Sequence, residues 1–235
     1  MAASYSSLPD RPPDHPLAIA HRHGNLVELV GLAAAAGVDL LEMDVFGYRG
    51  RLEVRHARRF GPWLLEGLRL HRWSGPPLEL QTVLAALPDD AAVMVDLKGR
   101  QRWTGKAVAE AMAEHRPGRP YAVCGRNWTL LTGFEAVPDA RVVWSAGSRR
   151  ELRRLLTRLQ DRPAWGVSIR RQLLNPPLVR NLMARAHVVM AWHVESAARL
   201  ESVLALGVNG VICDDLEVLG TLLAARPQER HHPEE

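Results

Sequence analysis

Apolar segments alternate with amphipathic segments along almost the whole chain. Eight apolar segments have the length and composition of buried strands: 17–20, 39–45, 92–98, 121–124, 141–145, 165–169, 188–192 and 210–213. After each of them, apolar residues recur at helical spacing: 26–33, 78–87, 103–114, 128–134, 149–160, 177–186, 197–206 and 216–225. The pattern therefore predicts eight strand–helix units in chain order.

Strands that alternate with helices indicate a parallel sheet covered by helices. Eight such units in roughly 215 residues fit a closed (β/α)8 barrel. We predict one α/β domain of this kind at residues 16–226. A doubly wound open sheet is the alternative, but no glycine-rich nucleotide-binding turn follows the first strand. Residues 1–15 and 227–235 are polar and are predicted to be disordered.

The region after the second strand interrupts this rhythm. Residues 51–56 alternate between polar and apolar side chains after a turn at 48–50, which predicts a short hairpin with the second strand. Residues 57–77 show no period and are rich in Arg, Gly, Pro and Trp. We expect them to form an irregular insertion near a functional site, because long loops in compact domains are often functional.

Charge and composition narrow the class of partner. The 235-residue chain has a net charge of +4, but its basic residues are dispersed, which favours an anionic small molecule over nucleic acid. No apolar stretch approaches the roughly eighteen residues of a transmembrane helix. Cys124 and Cys213 lie far apart in apolar segments, and no secretory leader pattern is present. These features predict reduced thiols in a cytoplasmic protein, and they leave its oligomeric state open.

The second strand carries two carboxylates inside an apolar run, Leu40-Leu41-Glu42-Met43-Asp44-Val45. Side chains two residues apart on a strand share a face, so Glu42 and Asp44 point the same way. Two buried like charges are unfavourable unless a cation lies between them. A solvent-facing edge strand is the alternative. Since strands of such a barrel end at the active site, Asp96 completes a three-carboxylate set for one Mg²⁺ or Ca²⁺.

Histidines and cationic side chains end the neighbouring elements. His21 and Arg22 follow the first strand, His56 ends the hairpin, and Lys98 ends the third strand. The two histidines supply a general acid and a general base, and the two cations supply donors for a phosphate. With a divalent cation, these groups predict a site that cleaves phosphodiesters.

Each assignment has a structural alternative. A single histidine at a strand end is more often structural than catalytic, and Asp96 and Lys98 can simply pair with each other. Among the tryptophans near the predicted mouth of the barrel, Trp192 is the one expected to contact a ligand. Five other histidines are interpreted as surface or loop residues: His15, His23, His71, His115 and His187.

A series of segments resembles motifs of the glycerophosphodiester phosphodiesterase family over nearly the whole chain. Ala20-His21-Arg22 resembles its His-Arg-Gly element, and residues 37–45 resemble Gly-Ala-Asp-x-x-Glu-x-Asp-Val. Asp96-Leu97-Lys98 is similar to Glu-x-Lys. Further likenesses, to His-Asp, Thr-Leu-Glu, Trp-Thr-Val-Asn and Gly-Val-Asp-Gly-Ile-Ile-Thr-Asp, lie at His56, 78–80, 191–194 and 207–214.

The resemblance implies a (β/α)8 barrel that hydrolyses glycerophosphodiesters to glycerol 3-phosphate and an alcohol with the help of a divalent metal. A neighbouring hydroxyl of the substrate would attack phosphorus, and water would then open the resulting cyclic phosphate. By resemblance, the metal ligands would be Glu42, Asp44 and Asp96, the acid–base pair His21 and His56, and the phosphate-binding residues Arg22 and Lys98.

The chain departs from the family pattern at several positions. His23 displaces the glycine to Gly24, Ala57 stands where aspartate follows the second histidine, and Asp96 replaces a glutamate. The family's Glu-Asn-Thr element is absent. The Asp-Leu-Lys-Gly segment and the short insertion are similar to the related sphingomyelinase D branch, so cleavage of lysophospholipids is the second hypothesis. A catalytically silent barrel that binds a phosphorylated ligand is the third.

Overall fold

The computed structural model describes residues 8, 12–66, 68–73 and 75–226. The predicted disorder of residues 227–235, and of most of residues 1–15, concerns positions outside the described residues. The described strands are β1 Leu17–Ala20, β2 Leu40–Tyr48, β3 Arg51–Val54, β4 Arg58–Phe60, β5 Trp63–Glu66, β6 Arg69–Arg72, β7 Val93–Lys98, β8 Tyr121–Gly125, β9 Ala140–Ala146, β10 Ala164–Arg170, β11 Ala186–Trp192 and β12 Gly210–Cys213. The described α-helices are α1 Val27–Ala35, α2 Leu80–Ala86, α3 Trp103–His115, α4 Arg149–Asp161, α5 Pro176–Met183, α6 Ala197–Leu204 and α7 Leu216–Ala224.

Eight parallel strands close into a barrel. They pair in the order β1, β2, β7, β8, β9, β10, β11 and β12, and β12 pairs with β1. Alternate side chains point inward, where Ile19, Leu40, Met94 and Met190 belong to one buried apolar cluster. The outward side chains pack against the helices in a larger cluster. The predicted (β/α)8 architecture is confirmed.

The connection between β8 and β9 differs from the prediction of a helix at residues 128–134. It contains two short 3₁₀ helices, Trp128–Leu130 and Phe134–Ala136. Gly133 lies between them with a φ of 96°, a left-handed conformation that no α-helix accommodates. The spacing of buried apolar residues suited a helix, but the backbone turn at this glycine prevents a continuous one.

The insertion at residues 57–77 is also more regular than predicted. Strands β4, β5 and β6 form a separate antiparallel sheet, named here the small sheet, which follows the predicted hairpin of β2 and β3 in the chain. Its strands are three or four residues long, which is too short for a period to stand out in the sequence. The buried carboxylate of Glu53 on β3 anchors it, accepting hydrogen bonds from Arg55 Nε at 2.8 Å and Arg59 Nη1 at 2.7 Å.

Two further expectations concern thiols and membranes. Cys124 and Cys213 are both buried and form no disulfide, as predicted. No helix among the described residues is long and apolar enough to cross a membrane.

Asn209 ties β11 to β1 at the amino ends of the strands. Its Oδ1 accepts a hydrogen bond from the Val189 amide at 2.7 Å, and its Nδ2 donates to the His187 carbonyl at 2.8 Å. Its own carbonyl accepts from the Leu17 amide at 3.0 Å. Strands β11 and β12 pair only from Met190 and Gly210 onward, and the Asn209 side chain supplies the hydrogen bonds just before that point.

We predict that Asn209→Ala lowers the free energy of unfolding by about 2 kcal/mol or more, because the buried Val189 amide loses its partner. Chemical denaturation measures the change, and hydrogen exchange at Val189 should accelerate. Asn181→Ala, in an exposed position on α5, is the matched control and should change stability by less than about 0.5 kcal/mol. Equal stability of Asn209→Ala and the control would contradict the stabilising role of Asn209 between β11 and β1.

Candidate active site

Three carboxylates of β2 and β7 converge at the end of the barrel where β1 ends, since Ala20, the last residue of β1, pairs with Leu41. The two strands are neighbours, with Asp44 directly opposite Asp96. One oxygen from each of Glu42, Asp44 and Asp96 lies within 4.8 Å of the others. Oxygens that bind one Mg²⁺ or Ca²⁺ at about 2.0–2.6 Å must approach one another in this way. The structure therefore brings the three predicted metal ligands together.

The negative charge of this cluster is only partly compensated by neighbouring groups of the protein. Burial, reinforced by the charge of Asp44, raises the pKa of Glu42. Burial alone would raise the pKa of Asp44 too, but the Lys98 ammonium and hydrogen bonds from Lys98 and Asn25 lower it. Asp96 Oδ1 is buried and accepts no hydrogen bond from another described residue. A hard divalent cation fits this all-oxygen donor set and its unmatched charge.

Lys98 lies within the cluster. Its Nζ is 2.8 Å from Asp44 Oδ1, and it also bonds to Asp96 Oδ2. Burial would lower the pKa of Lys98, but the carboxylates, Asp96 foremost, raise it well above its usual value. The sequence left two possibilities for this residue, phosphate binding or pairing with Asp96, and the structure shows the pairing.

Arg22 connects the carboxylates to the second histidine. Its φ of 57° is left-handed, which directs its amide to donate to Glu42 Oε2 at 2.6 Å. Its guanidinium Nη2 donates to His56 Nε2 at 2.7 Å. The adjacent Gly24 is required for space, because a Cβ there would lie 2.7 Å from the Met43 Cβ. Close packing against Met43 therefore explains why glycine occupies position 24.

His23 lies in the connection between β1 and α1, in keeping with the interpretation as a surface or loop residue, but it is not at the surface. Its side chain is buried, and its Nδ1 donates to the His21 carbonyl at 2.9 Å. This bond fixes the turn that presents His21 and Arg22.

Each candidate catalytic histidine is held by a carboxylate. His21 Nδ1 donates to Asp214 Oδ1 at 2.8 Å. Burial lowers the pKa of His21, but the hydrogen bond to Asp214 and the charges of Glu42 and Asp214 offset it, so that its pKa is raised overall. Because His56 Nε2 accepts from Arg22, its Nδ1 carries the proton that Glu66 Oε1 accepts at 2.9 Å. The two imidazoles are thereby fixed in orientation.

Three residues of this site received no role in the sequence analysis. Asn25 donates from Nδ2 to Asp44 Oδ2 at 2.7 Å, and its Oδ1 accepts from the Asp44 amide at 2.8 Å. Asp214 ends the eighth barrel strand, a position that signals the site in this fold. Glu66 belongs to the small sheet, and no local pattern in the sequence points to it.

Trp192 lies half-buried at the carboxyl end of β11. Its ring borders Gly147, where an added Cβ would lie 3.0 Å from it, and contacts the His193 ring in a tilted arrangement with 5.0 Å between centroids. The ring is thus held in place at the mouth of the barrel. Its contact with a substrate stays a prediction.

Solved structures share this barrel. A proposed glycerophosphoryl diester phosphodiesterase from Silicibacter pomeroyi superposes with a TM-score of 0.74 at 16% identity, covering 91% of this chain and 95% of that one. An Oleispira antarctica phosphodiesterase in complex with the product sn-glycerol-3-phosphate superposes with a TM-score of 0.72 at 16% sequence identity. The match covers 90% of this chain and 98% of that one. A glycerophosphodiester phosphodiesterase from Thermotoga maritima superposes with a TM-score of 0.69 at 18% sequence identity. The match covers 89% of this chain and 100% of that one. At these identities the likeness establishes a common fold.

No protein-family model and no curated protein matches the sequence.

We predict that Asp214→Asn lowers the pKa of His21, because the hydrogen bond and the charge that favour the imidazolium are weakened. His21 in the variant should therefore lose its proton at a lower pH than in the wild type. Histidine NMR titration of the metal-stripped protein in EDTA measures this. Asp161→Asn, at the last residue of α4, is the control. An unchanged or higher pKa of His21 in Asp214→Asn would contradict the assignment.

Proposed function

We propose that this protein is a metal-dependent glycerophosphodiester phosphodiesterase that yields glycerol 3-phosphate and an alcohol. The observation that carries the proposal is the convergence of Glu42, Asp44 and Asp96 beside two carboxylate-held histidines at the carboxyl end of the barrel. The sequence motifs and the names of the structural neighbours support the same reaction. A product complex of one neighbour contains glycerol 3-phosphate, the product proposed here.

The three carboxylates would hold one Mg²⁺ or Ca²⁺, since their donor set suits either ion. When bound, such an ion supplies Lewis acidity and neutralises negative charge on a phosphate. Lys98 balances part of the carboxylate charge from within the cluster, and Asn25 holds Asp44 from the other side. Arg22 carries a guanidinium suited to phosphate oxygens.

His21 is the proposed general acid. Its raised pKa keeps a larger fraction protonated near neutral pH, and Asp214 engages Nδ1, so that Nε2–H is available to the leaving oxygen. His56 is the proposed general base, since Glu66 holds its proton on Nδ1 and leaves the Nε2 lone pair as acceptor. Arg22 now bonds to that nitrogen, and binding its guanidinium to a phosphate oxygen would release it.

The proposed reaction has two balanced steps. A hydroxyl of the substrate glycerol loses its proton to His56 and attacks phosphorus, while the alcohol leaves with a proton from His21. Water then opens the cyclic phosphate with the two histidines in exchanged roles, which restores both protonation states.

Lysophospholipids form the second candidate substrate class. The observation in favour is the small sheet, which contributes Glu66 to the site from one face and exposes Phe60, Trp63 and Leu70 on the other. An acyl chain needs apolar protein surface, whereas a water-soluble glycerophosphodiester does not.

A cytoplasmic location stays a prediction.

We predict that the purified protein releases choline or glycerol phosphate from glycerophosphocholine with Mg²⁺ or Ca²⁺, and that EDTA abolishes the release. His21→Ala and His56→Ala should each lower the rate by about 10²–10⁴-fold, the usual contribution of an acid or base. His115→Ala, at the end of α3, is the matched control and should retain full activity. Parallel assays with lysophosphatidylcholine determine which substrate class is preferred.

Turnover that persists in EDTA and in both histidine variants would contradict the proposed mechanism. Absence of turnover of either substrate by the wild type, with metal bound, would favour the silent phosphate-binding barrel.

A further inference from the structure

The small sheet has two chemically different faces. Directly opposed residues on antiparallel strands share a face, and so do residues two apart on one strand. Phe60 is opposed to Trp63 and Trp63 to Arg72, while Leu65 is opposed to both Arg58 and Leu70. One face, named here the outer face, therefore consists of Arg58, Phe60, Trp63, Leu65, Leu70 and Arg72.

The opposite face is attached to the barrel. Leu64 is buried, Arg59 bonds to the buried carboxylate of Glu53, and Glu66 bonds to His56 at the candidate active site. These contacts fix the orientation of the small sheet, and they direct its outer face away from the barrel.

The outer face exposes an unusual amount of apolar surface. Phe60, Trp63 and Leu70 are 56%, 45% and 60% exposed, and Leu68, between β5 and β6, is fully exposed. These four are half of the eight large apolar side chains exposed in the described part of the chain. Isolated exposed apolar residues need no explanation, but a cluster of this kind marks a surface for interaction.

The charges around this cluster are of one sign. Arg58 and Arg72 lie on the outer face and form no ion pair with another described residue. Between residues 57 and 73, Glu66 is the only acidic residue, and it lies on the opposite face in contact with His56. The outer face is thus an apolar centre bordered by unpaired cations.

We propose that the outer face, together with Leu68, docks on the surface of an anionic lipid bilayer. Tryptophan rings favour the headgroup region, arginines extend their guanidinium groups to lipid phosphates, and leucine and phenylalanine enter the acyl boundary. A protein partner would need carboxylates placed opposite Arg58 and Arg72, whereas an anionic membrane presents negative charge in every orientation. The contact between Glu66 and His56, on the opposite face, attaches this docking element directly to the candidate active site.

Co-sedimentation with vesicles tests the docking without turnover, so its result is independent of the proposed function. Full-length protein in EDTA is mixed with vesicles of phosphatidylcholine alone or with added phosphatidylserine. We expect binding to the phosphatidylserine vesicles that weakens as salt is raised. Trp63→Ala/Leu70→Ser should lower the partition coefficient by about tenfold or more. Arg58→Glu/Arg72→Glu should lower it by at least about 25-fold, since each arginine contributes about fivefold.

Control substitutions outside the small sheet show whether a loss of binding is specific to the outer face or follows from any change in surface charge or hydropathy. Leu32→Ser removes a leucine on α1 that is 58% exposed, and Arg153→Glu reverses an exposed charge on α4. Both should retain vesicle binding within about twofold, because neither lies on the small sheet. Circular dichroism checks that all variants are folded, and the arginine pair, which removes no apolar contact, keeps the test valid if Trp63→Ala/Leu70→Ser unfolds.

Failure of the wild type to bind phosphatidylserine vesicles would overturn the proposal. Equal loss of binding in the control variants would do so too. Concentration-dependent self-association, without vesicle binding and abolished by Trp63→Ala/Leu70→Ser, would assign the outer face to a second copy of the chain and would likewise refute membrane docking.

Discussion

Repulsion among three carboxylates at one end of the barrel is the constraint that the surrounding structure balances. Glu42 and Asp44 are buried on β2, and Asp96 faces Asp44 from β7. Three nearby polar groups partly compensate this negative charge. The Lys98 ammonium, the Asn25 amide and the Arg22 backbone N–H all point at carboxylate oxygens. These groups compensate only in part, because burial still raises the pKa of Glu42, and a divalent cation is the charge that would complete the balance.

The same constraint extends to the histidines and to the small sheet. Arg22 bridges the cluster and His56, and Glu66 holds His56 from the far side. The insertion after β3 therefore contributes a side chain to the candidate active site, and it is anchored by the buried Glu53. One short sheet thus joins the proposed general base to an apolar, basic outer surface.

The sequence predicted those features that depend on local periodicity. The period of two on β2 placed Glu42 and Asp44 on one face, and the rule for strand ends in barrels added Asp96. Contacts between distant segments were not predictable in this way. His21 and Asp214 are 193 residues apart, and Glu66 belongs to a strand too short to show a pattern. The failed helix at 128–134 and the buried His23 have a similar origin, since backbone turns at Gly133 and Arg22 override the local pattern.

A crystal structure of the protein soaked in Mn²⁺, with the ion located by anomalous scattering, tests the central claim most directly. The account predicts one strong peak coordinated by Glu42, Asp44 and Asp96, with Lys98 Nζ withdrawn from at least one carboxylate. The peak should be absent in Asp96→Asn and present in Asp214→Asn, whose substitution lies outside the carboxylate cluster. A saturating soak that leaves both Lys98 ion pairs intact and shows no peak at the three carboxylates would contradict it.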